Sequence, residues 1–238
     1  MRYFKWTLVA ALFLIGAGPK PLTLRWYGQS CFLLTSTAGT AVLMDPFGEQ
    51  VGYKVPQLKA DAVTISHEHP DHNNAEMAKP GAKIIRGLTE GGWATVSETV
   101  GDVKIRTVPV YHDDREGRMR GRNAVFVFET GGITVVHLGD LGHLLDEEQV
   151  KAIGKADVLL IPVGGAYTID AQDATQVVSK LKPKIVIPMH YKTDKIKNIP
   201  IAPVDGFLQG KPRVEKPKGS ELQIRKLPAE TTIYVLGY

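Results

Sequence analysis

The chain has 238 residues and a single cysteine, Cys31, so it can form neither an intrachain disulfide nor a thiolate metal cluster. Apolar residues make up 43% and charged residues 23%, the balance of a soluble globular protein long enough for one sizeable core. A formal charge of +4 admits an anionic substrate but is too small to demand nucleic acid as a partner.

Residues 1–18 differ from the rest. Arg2 and Lys5 precede the apolar run Leu8 to Ile15, and Gly16-Ala17-Gly18 follow. That is the layout of a secretory signal peptide, and the run is shorter than the about 20 apolar residues of a membrane span. Pro19 is awkward just after a cleavage site. The expectation is an exported protein, periplasmic or secreted, whose first segment is removed or kept as an N-terminal anchor. A first strand of the domain is the competing reading. Residues 20–238 read as one domain without linker, repeat or low-complexity tract.

Leu22 to Tyr27, Cys31 to Thr35 and Thr40 to Met44 read as strands of an antiparallel meander, with Cys31 in a buried, inert position. Gln50 to Lys59 reads as irregular and exposed. Ala62 to Ile65 is a short apolar strand, Asn74 to Ala78 a short helix ended by Pro80-Gly81, and Ala82 to Arg86 a strand. After a turn at Gly91-Gly92-Trp93 comes a longer strand, Val103 to Val110. Arg115 to Asn123 is a polar, glycine-rich loop. Ala124 to Glu129 and Ile133 to Leu138 flank Gly131-Gly132 as a hairpin. Asp146 caps a helix to Ile153. Val158 to Val163 is a buried strand, Ala171 to Leu181 an amphipathic helix, and Ile185 to Met189 a strand ending at His190. Glu221 to Arg225 and Thr231 to Leu236 are the last strands.

The densest chemistry lies directly after Ala62 to Ile65, in His67-Glu68-His69-Pro70-Asp71-His72. His67 and His69 are two apart and point the same way in an extended segment, while Glu68 alternates away. Pro70 bends the chain, which can turn Asp71 and His72 toward a second point. Imidazole nitrogen and carboxylate oxygen suit zinc and its neighbours. A surface loop has no use for such a cluster, because desolvating it brings no benefit without a metal. Farther on, His112, Asp140 and His190 also follow apolar strands, so they are expected at the same sheet edge. His67, His69, Asp71, His72, His112, Asp140 and His190 together suffice for two cations and a bridging solvent.

Those pieces, with Leu138-Gly139-Asp140, Gly164-Gly165-Ala166-Tyr167-Thr168 and Ile187-Pro188-Met189-His190-Tyr191, resemble the metallo-β-lactamase-fold hydrolases, in particular a small branch of zinc-dependent hydrolases. The resemblance implies an α/β (α+β) fold, a four-layer αββα sandwich of two mixed β-sheets. It implies one metal on His67, His69 and His112, a second on Asp71, His72 and His190, and Asp140 between them. The true β-lactamases usually carry a cysteine ligand where this chain has Asp140, which makes antibiotic hydrolysis a poor expectation. Relatives of the branch often carry Gly-His-Ser where this chain has Gly28-Gln29-Ser30.

The expected activity is therefore that of a metal-dependent hydrolase. Two divalent cations, zinc by ligand type with manganese or iron as alternatives, supply a hydroxide that attacks a small ester, lactone or phosphodiester. Asp71 is expected both to hold metal and to orient the nucleophile. His143, three residues past Asp140, is a candidate proton shuttle at the site mouth, with a surface position as the competing reading. Tyr167 and Tyr191 are candidate substrate donors at the rim. His137 is expected to be a hydrogen-bonded core histidine. The arginines of Arg115 to Arg122 suit phosphate, although a solvated loop explains them as well. The expected partner is a small, anionic substrate, with no nucleic acid and no membrane contact beyond the N-terminal segment. A nuclease of the same fold and a non-catalytic metal-binding module are the alternatives.

Overall fold

The computed structural model describes residues 20–196 and 199–238. The signal-peptide reading of residues 1–18 falls outside the described residues. The first strands are β1 (Leu22–Gly28), β2 (Cys31–Thr35), β3 (Ala41–Met44), β4 (Ala62–Ile65) and β5 (Lys83–Arg86). A two-stranded ribbon, β6 (Leu88–Thr89) and β7 (Gly92–Trp93), leads to β8 (Ser97–Val100), β9 (Val103–Tyr111), β10 (Arg122–Thr130) and β11 (Ile133–His137). Helix α1 (Glu147–Ile153), β12 (Val158–Pro162), α2 (Ala171–Leu181) and β13 (Ile185–Met189) follow. The chain closes with α3 (Asp205–Leu208), β14 (Val214–Glu215), β15 (Glu221–Ile224) and β16 (Thr232–Tyr234).

The strands form two mixed sheets, ordered β15-β1-β2-β3-β4-β5 and β14-β16-β13-β12-β11-β10-β9-β8. Alternation in β1 turns Leu22, Leu24 and Trp26 inward, where they join one buried cluster with Val103, Ile105, Phe126 and Phe128 of the other sheet. Strands β12 and β13 are buried at every position and pair in parallel, which is why their sequences are unbroken apolar runs. Helix α1 packs on β9 and α2 on β12. The α1 cap is the expected one: the Asp146 carboxylate accepts from Gln149 N, and the Gln149 side chain answers on Asp146 N. Asp170 caps α2, whose buried Ala174, Val177 and Leu181 recur at helical spacing.

Over the other sheet the layer is thinner. The helix expected at Asn74 to Ala78 is a single 3-10 turn, Ala75–Met77, because the apolar stretch is too short to nucleate an α-helix before Pro80. The stretch from Gln50 is also less exposed than expected. Val51 and Tyr53 are buried and pack with Cys31, Leu43, Phe47, Ile65 and Met77. Cys31 is fully buried, and burial pushes its thiol pKa well up, which leaves it unreactive.

Strand direction positions the site. β1 is antiparallel to β2 and β2 to β3, while β3 and β4 are parallel. The C-terminal ends of β1, β3 and β4 therefore share one edge, at Gln29, Asp45 and Ser66-His67. In the second sheet β9 and β11 flank the antiparallel β10, and β11, β12 and β13 are parallel. The ends of β9, β11 and β13 then bring His112, Asp140 and His190 to one edge.

Candidate metal centre

Two donor sets meet where these edges face each other. His67, His69 and His112 form one; Asp71, His72, Asp140 and His190 form the other. His67 Nε2 lies 3.1 Å from His69 Nδ1. Asp140 Oδ1 is 3.2 Å from His72 Nε2, and its Oδ2 is 3.3 Å from His112 Nε2 and 3.2 Å from His190 Nε2. Asp140 thus touches members of both sets. Ligands about 2.1 Å from a tetrahedral cation stand roughly 3.4 Å apart, so these spacings fit donors arranged around cations. His72 Nε2 and Asp140 Oδ1 are buried without a hydrogen-bond partner among the described residues. Two buried polar atoms facing each other at 3.2 Å without a well-formed hydrogen bond suit a cation that would take both.

The backbone at this edge is strained toward the site. Gln29, Asp45 and His190 have φ of 48°, 43° and 49°, left-handed values that cost a non-glycine residue about 1–2 kcal/mol each. Each turns the chain sharply just past a strand. Gly139 and Gly142 flank Asp140 for a different reason. A Cβ at Gly139 would collide with Asn123 Oδ1 and the Ser66 side chain, and one at Gly142 would collide with the His112 backbone. Asn123, fully buried, donates to Leu138 O at 2.8 Å and accepts from Asp140 N at 3.3 Å, which holds the turn.

Electrostatics divide the two sets. Burial, with His72 nearby, holds His67 well below the usual histidine pKa, and burial with His112 lowers His69. Burial would lower His72 too, but Asp140 and Asp71 raise it well above that value, and Asp140 raises His190 in the same way. Burial would raise Asp140, but His190 and His72 pull it well below the carboxylate range. Asp71 is lowered chiefly by His72 against the same opposition from burial. His67 and His69 are therefore held as neutral imidazoles, while the second set contains both carboxylates of the centre, Asp71 and Asp140.

Several site residues escaped sequence reasoning. Asp45 is 1% exposed. Its Oδ1 accepts from Ser66 N at 2.8 Å, and its Oδ2 accepts from Ser66 Oγ at 2.5 Å and His72 Nδ1 at 2.9 Å. Ser66 Oγ in turn lies 2.9 Å from His67 Nδ1. A carboxylate has no proton to give, so His72 carries its proton on Nδ1, and the Ser66 hydroxyl, committed to Asp45, accepts from His67 Nδ1. One buried carboxylate thus leaves Nε2 of a histidine in each set free to bind. Gln29 Nε2 donates to Asp71 Oδ2 at 2.9 Å, so the first loop has a place in the site. The signal for Asp45 and Gln29 was the same strand-end position that marked the histidines, but aspartate and glutamine are common in turns.

The remaining candidates fall apart from one another. His137 is a core histidine: it donates from Nε2 to Ser30 O at 2.8 Å and accepts Gly139 N at Nδ1. Glu68 points outward and pairs with Arg86 at 2.7 Å. His143 is not brought to the centre. Its Nε2 accepts Tyr111 N at 3.0 Å and its Nδ1 donates to Leu144 O at 2.9 Å, so both nitrogens brace loops. Tyr191 is buried and stacked on Trp26 at 5.4 Å, away from the rim. Tyr167 does reach it. The centre opens into a cleft of about 400 Å³ lined by Gln29, Asp71, Asp140, Arg120, Tyr167 and Met119, among others.

A family model described as a beta-lactamase superfamily domain matches residues 23–190. A UPF0173 metal-dependent hydrolase of Thermoplasma acidophilum is 30% identical over 221 residues, 82% of this chain and 97% of the relative. A metal-dependent hydrolase of Thermococcus onnurineus is 33% identical over 190 residues, 71% of this chain and 84% of its own. A crystal structure from Thermotoga maritima, described as a Zn-dependent hydrolase of the metallo-beta-lactamase superfamily, superposes with a TM-score of 0.72 at 38% identity, covering 90% of this chain and 98% of that one.

Proposed function

The chain belongs to the beta-lactamase superfamily and is a metal-dependent hydrolase, and from that premise we propose that it uses two divalent cations to cleave a small ester, lactone or phosphodiester. His67, His69 and His112 would hold one cation, Asp71, His72 and His190 the other, and Asp140 would link them. The ligand types favour zinc over manganese or iron. When bound, the cations would acidify a shared water and polarise the substrate oxygen.

The observation that carries this reading is Asp140, whose two oxygens lie 3.2–3.3 Å from donors of both sets. Its charge offsets the repulsion between two cations in a buried site. Asp45 and Ser66 fix the ring tautomers, and Gln29 orients Asp71 by donating to Oδ2, the oxygen that lies 3.5 Å from His72 Nε2. Tyr167, 39% exposed at the rim, can donate to a substrate oxygen. His143 is assigned to loop bracing instead of proton transfer, because both its nitrogens are engaged.

The test is metal analysis of the purified protein followed by a panel of lactones, thioesters and bis-aryl phosphates. Two equivalents of metal, and turnover that a chelator removes and added metal restores, are expected. Turnover that persists with one equivalent or none would overturn the dinuclear reading.

A further inference from the structure

Asp113 is 3% exposed, and its carboxylate gathers the loop that follows it. Oδ1 accepts from Arg115 N at 2.8 Å and Gly117 N at 3.0 Å; Oδ2 accepts from Met119 N at 3.0 Å and Arg120 N at 2.7 Å. These four bonds hold the carboxyl below its usual pKa against the opposing effect of burial. The arginine-rich stretch is therefore a pinned loop. Its four arginines have different fates. Arg118 leans on Glu116 at 3.5 Å, and Arg122 lies over the Trp93 ring. Only Arg120 lines the cleft that contains Asp140 and His190.

Arg120 is held on two sides. Its Nη2 donates to Ala166 O at 2.9 Å, and its guanidinium carbon lies 5.4 Å from the centre of the Tyr167 ring. It makes no ion pair with any described carboxylate. A guanidinium has five N–H donors in a planar fork that matches carboxylate or phosphate. Here the fork is fixed in place, its charge is unneutralised, and it sits in the wall of the reaction cleft. Met119, Ile199 and Pro70 supply apolar lining nearby.

We propose that Arg120, braced on Tyr167, is the binding point for an oxyanion, carboxylate or phosphate, that the substrate carries apart from the bond it loses. The assignment rests on the hydrolase reading and narrows it to substrates with an anionic group beside an apolar body. Pre-organisation is what gives the contact its worth, since the side chain gives up little further freedom on binding.

Two measurements on the full-length protein test it. In the first, calorimetry follows butyrate, butyl phosphate and neutral butyramide binding to metal-loaded and chelator-treated protein. Arg120→Gln should weaken binding of the preferred anion tenfold or more in both states, leave butyramide unchanged and keep the melting temperature. Arg120→Lys should recover only part, because an ammonium lacks the fork, and Arg118→Gln should change nothing. Anion binding that is absent from wild type, or equal in Arg120→Gln and wild type without metal, overturns the proposal. The anion bound more tightly separates a carboxylate from a phosphate substrate. In the second, kcat/KM is compared for the nitrophenyl monoester of glutarate and for nitrophenyl pentanoate. Arg120→Gln should lower the first tenfold or more and spare the second; equal losses on both overturn the proposal. If wild type cleaves neither ester, the ester reading of the hydrolase fails, and calorimetry still decides the subsite.

Discussion

Asp45→Asn tests the internal bracing of the centre most directly. The carboxylate accepts three hydrogen bonds, two from Ser66 and one from His72 Nδ1, at 2.5–2.9 Å and almost out of water. An asparagine of the same shape has one acceptor oxygen and one donor nitrogen. If the oxygen faces His72 and Ser66 Oγ, the NH2 meets the Ser66 N–H. If it faces Ser66 N, the NH2 meets His72 Nδ1–H, and His72 must move its proton to Nε2, the atom that points at Asp140. Either arrangement strands a buried donor or spoils a ligand. A hydrogen bond to a charged group is worth about 1.5–3 kcal/mol. Losing an outer-shell partner of a metal histidine costs about 10–100-fold in affinity, or roughly 1.4–2.8 kcal/mol. The two estimates agree, so Asp45→Asn should weaken cation binding 10–100-fold in competition with a chromogenic chelator. Ser66→Ala should weaken mainly the proposed cation on His67, His69 and His112, since among the proposed ligands the Ser66 hydroxyl touches only His67. An Asp45→Asn protein that holds both cations within about threefold of wild type would refute the bracing argument, because such a difference is under roughly 0.7 kcal/mol.

Three further outcomes are expected. Asp140→Asn keeps the shape but removes the charge proposed to lie between two cations, so metal content should fall toward one equivalent, with turnover lost far beyond any loss of stability; His137→Gln, the control, should keep metal content near wild type by mass spectrometry. Cation binding should release protons, because His72 and His190 have raised pKa values in the metal-free centre and must give up a proton to bind. Affinity should therefore fall as pH drops and a larger fraction of the two rings is protonated, and calorimetry in buffers of different ionisation enthalpy should reveal the release. Finally, a reporter fused after residue 20 should be translocated if Arg2, Lys5 and the run Leu8 to Ile15 act as an export signal; a reporter retained in the cytoplasm would remove that reading.

Much of the centre was legible in the sequence because strands are local objects. An apolar run of four or five residues marks a strand, and a histidine or aspartate just past it lies at a strand end. That rule placed His67, His112, Asp140 and His190 at strand ends before any coordinates, and His69, Asp71 and His72 came with the motif; the expected single sheet edge is instead two facing edges, because β4 belongs to one sheet and β9, β11 and β13 to the other. It does not say where a side chain points once the chain leaves the strand. His143 is three residues past Asp140, yet Gly142 packs on the backbone of His112 and the imidazole turns to Tyr111 N. Tyr191 follows His190, but the left-handed backbone at His190 sends the ring inward onto Trp26.

What the sequence determined by itself was the inventory: a cluster of donors too rich for a surface loop, strands to carry them and one core to hold the strands. Only the tertiary structure decided which other residues complete the centre. Asp45, Ser66 and Gln29 are ordinary turn residues in sequence, 22 positions or more from the nearest metal candidate in the cases of Asp45 and Gln29. They become parts of the site because two sheets bring their edges together, and a hydrogen bond depends on distance and direction in space. The same holds for Arg120. Four arginines in one loop look alike until a single buried carboxylate, Asp113, sets the backbone and sends one of them to the cleft.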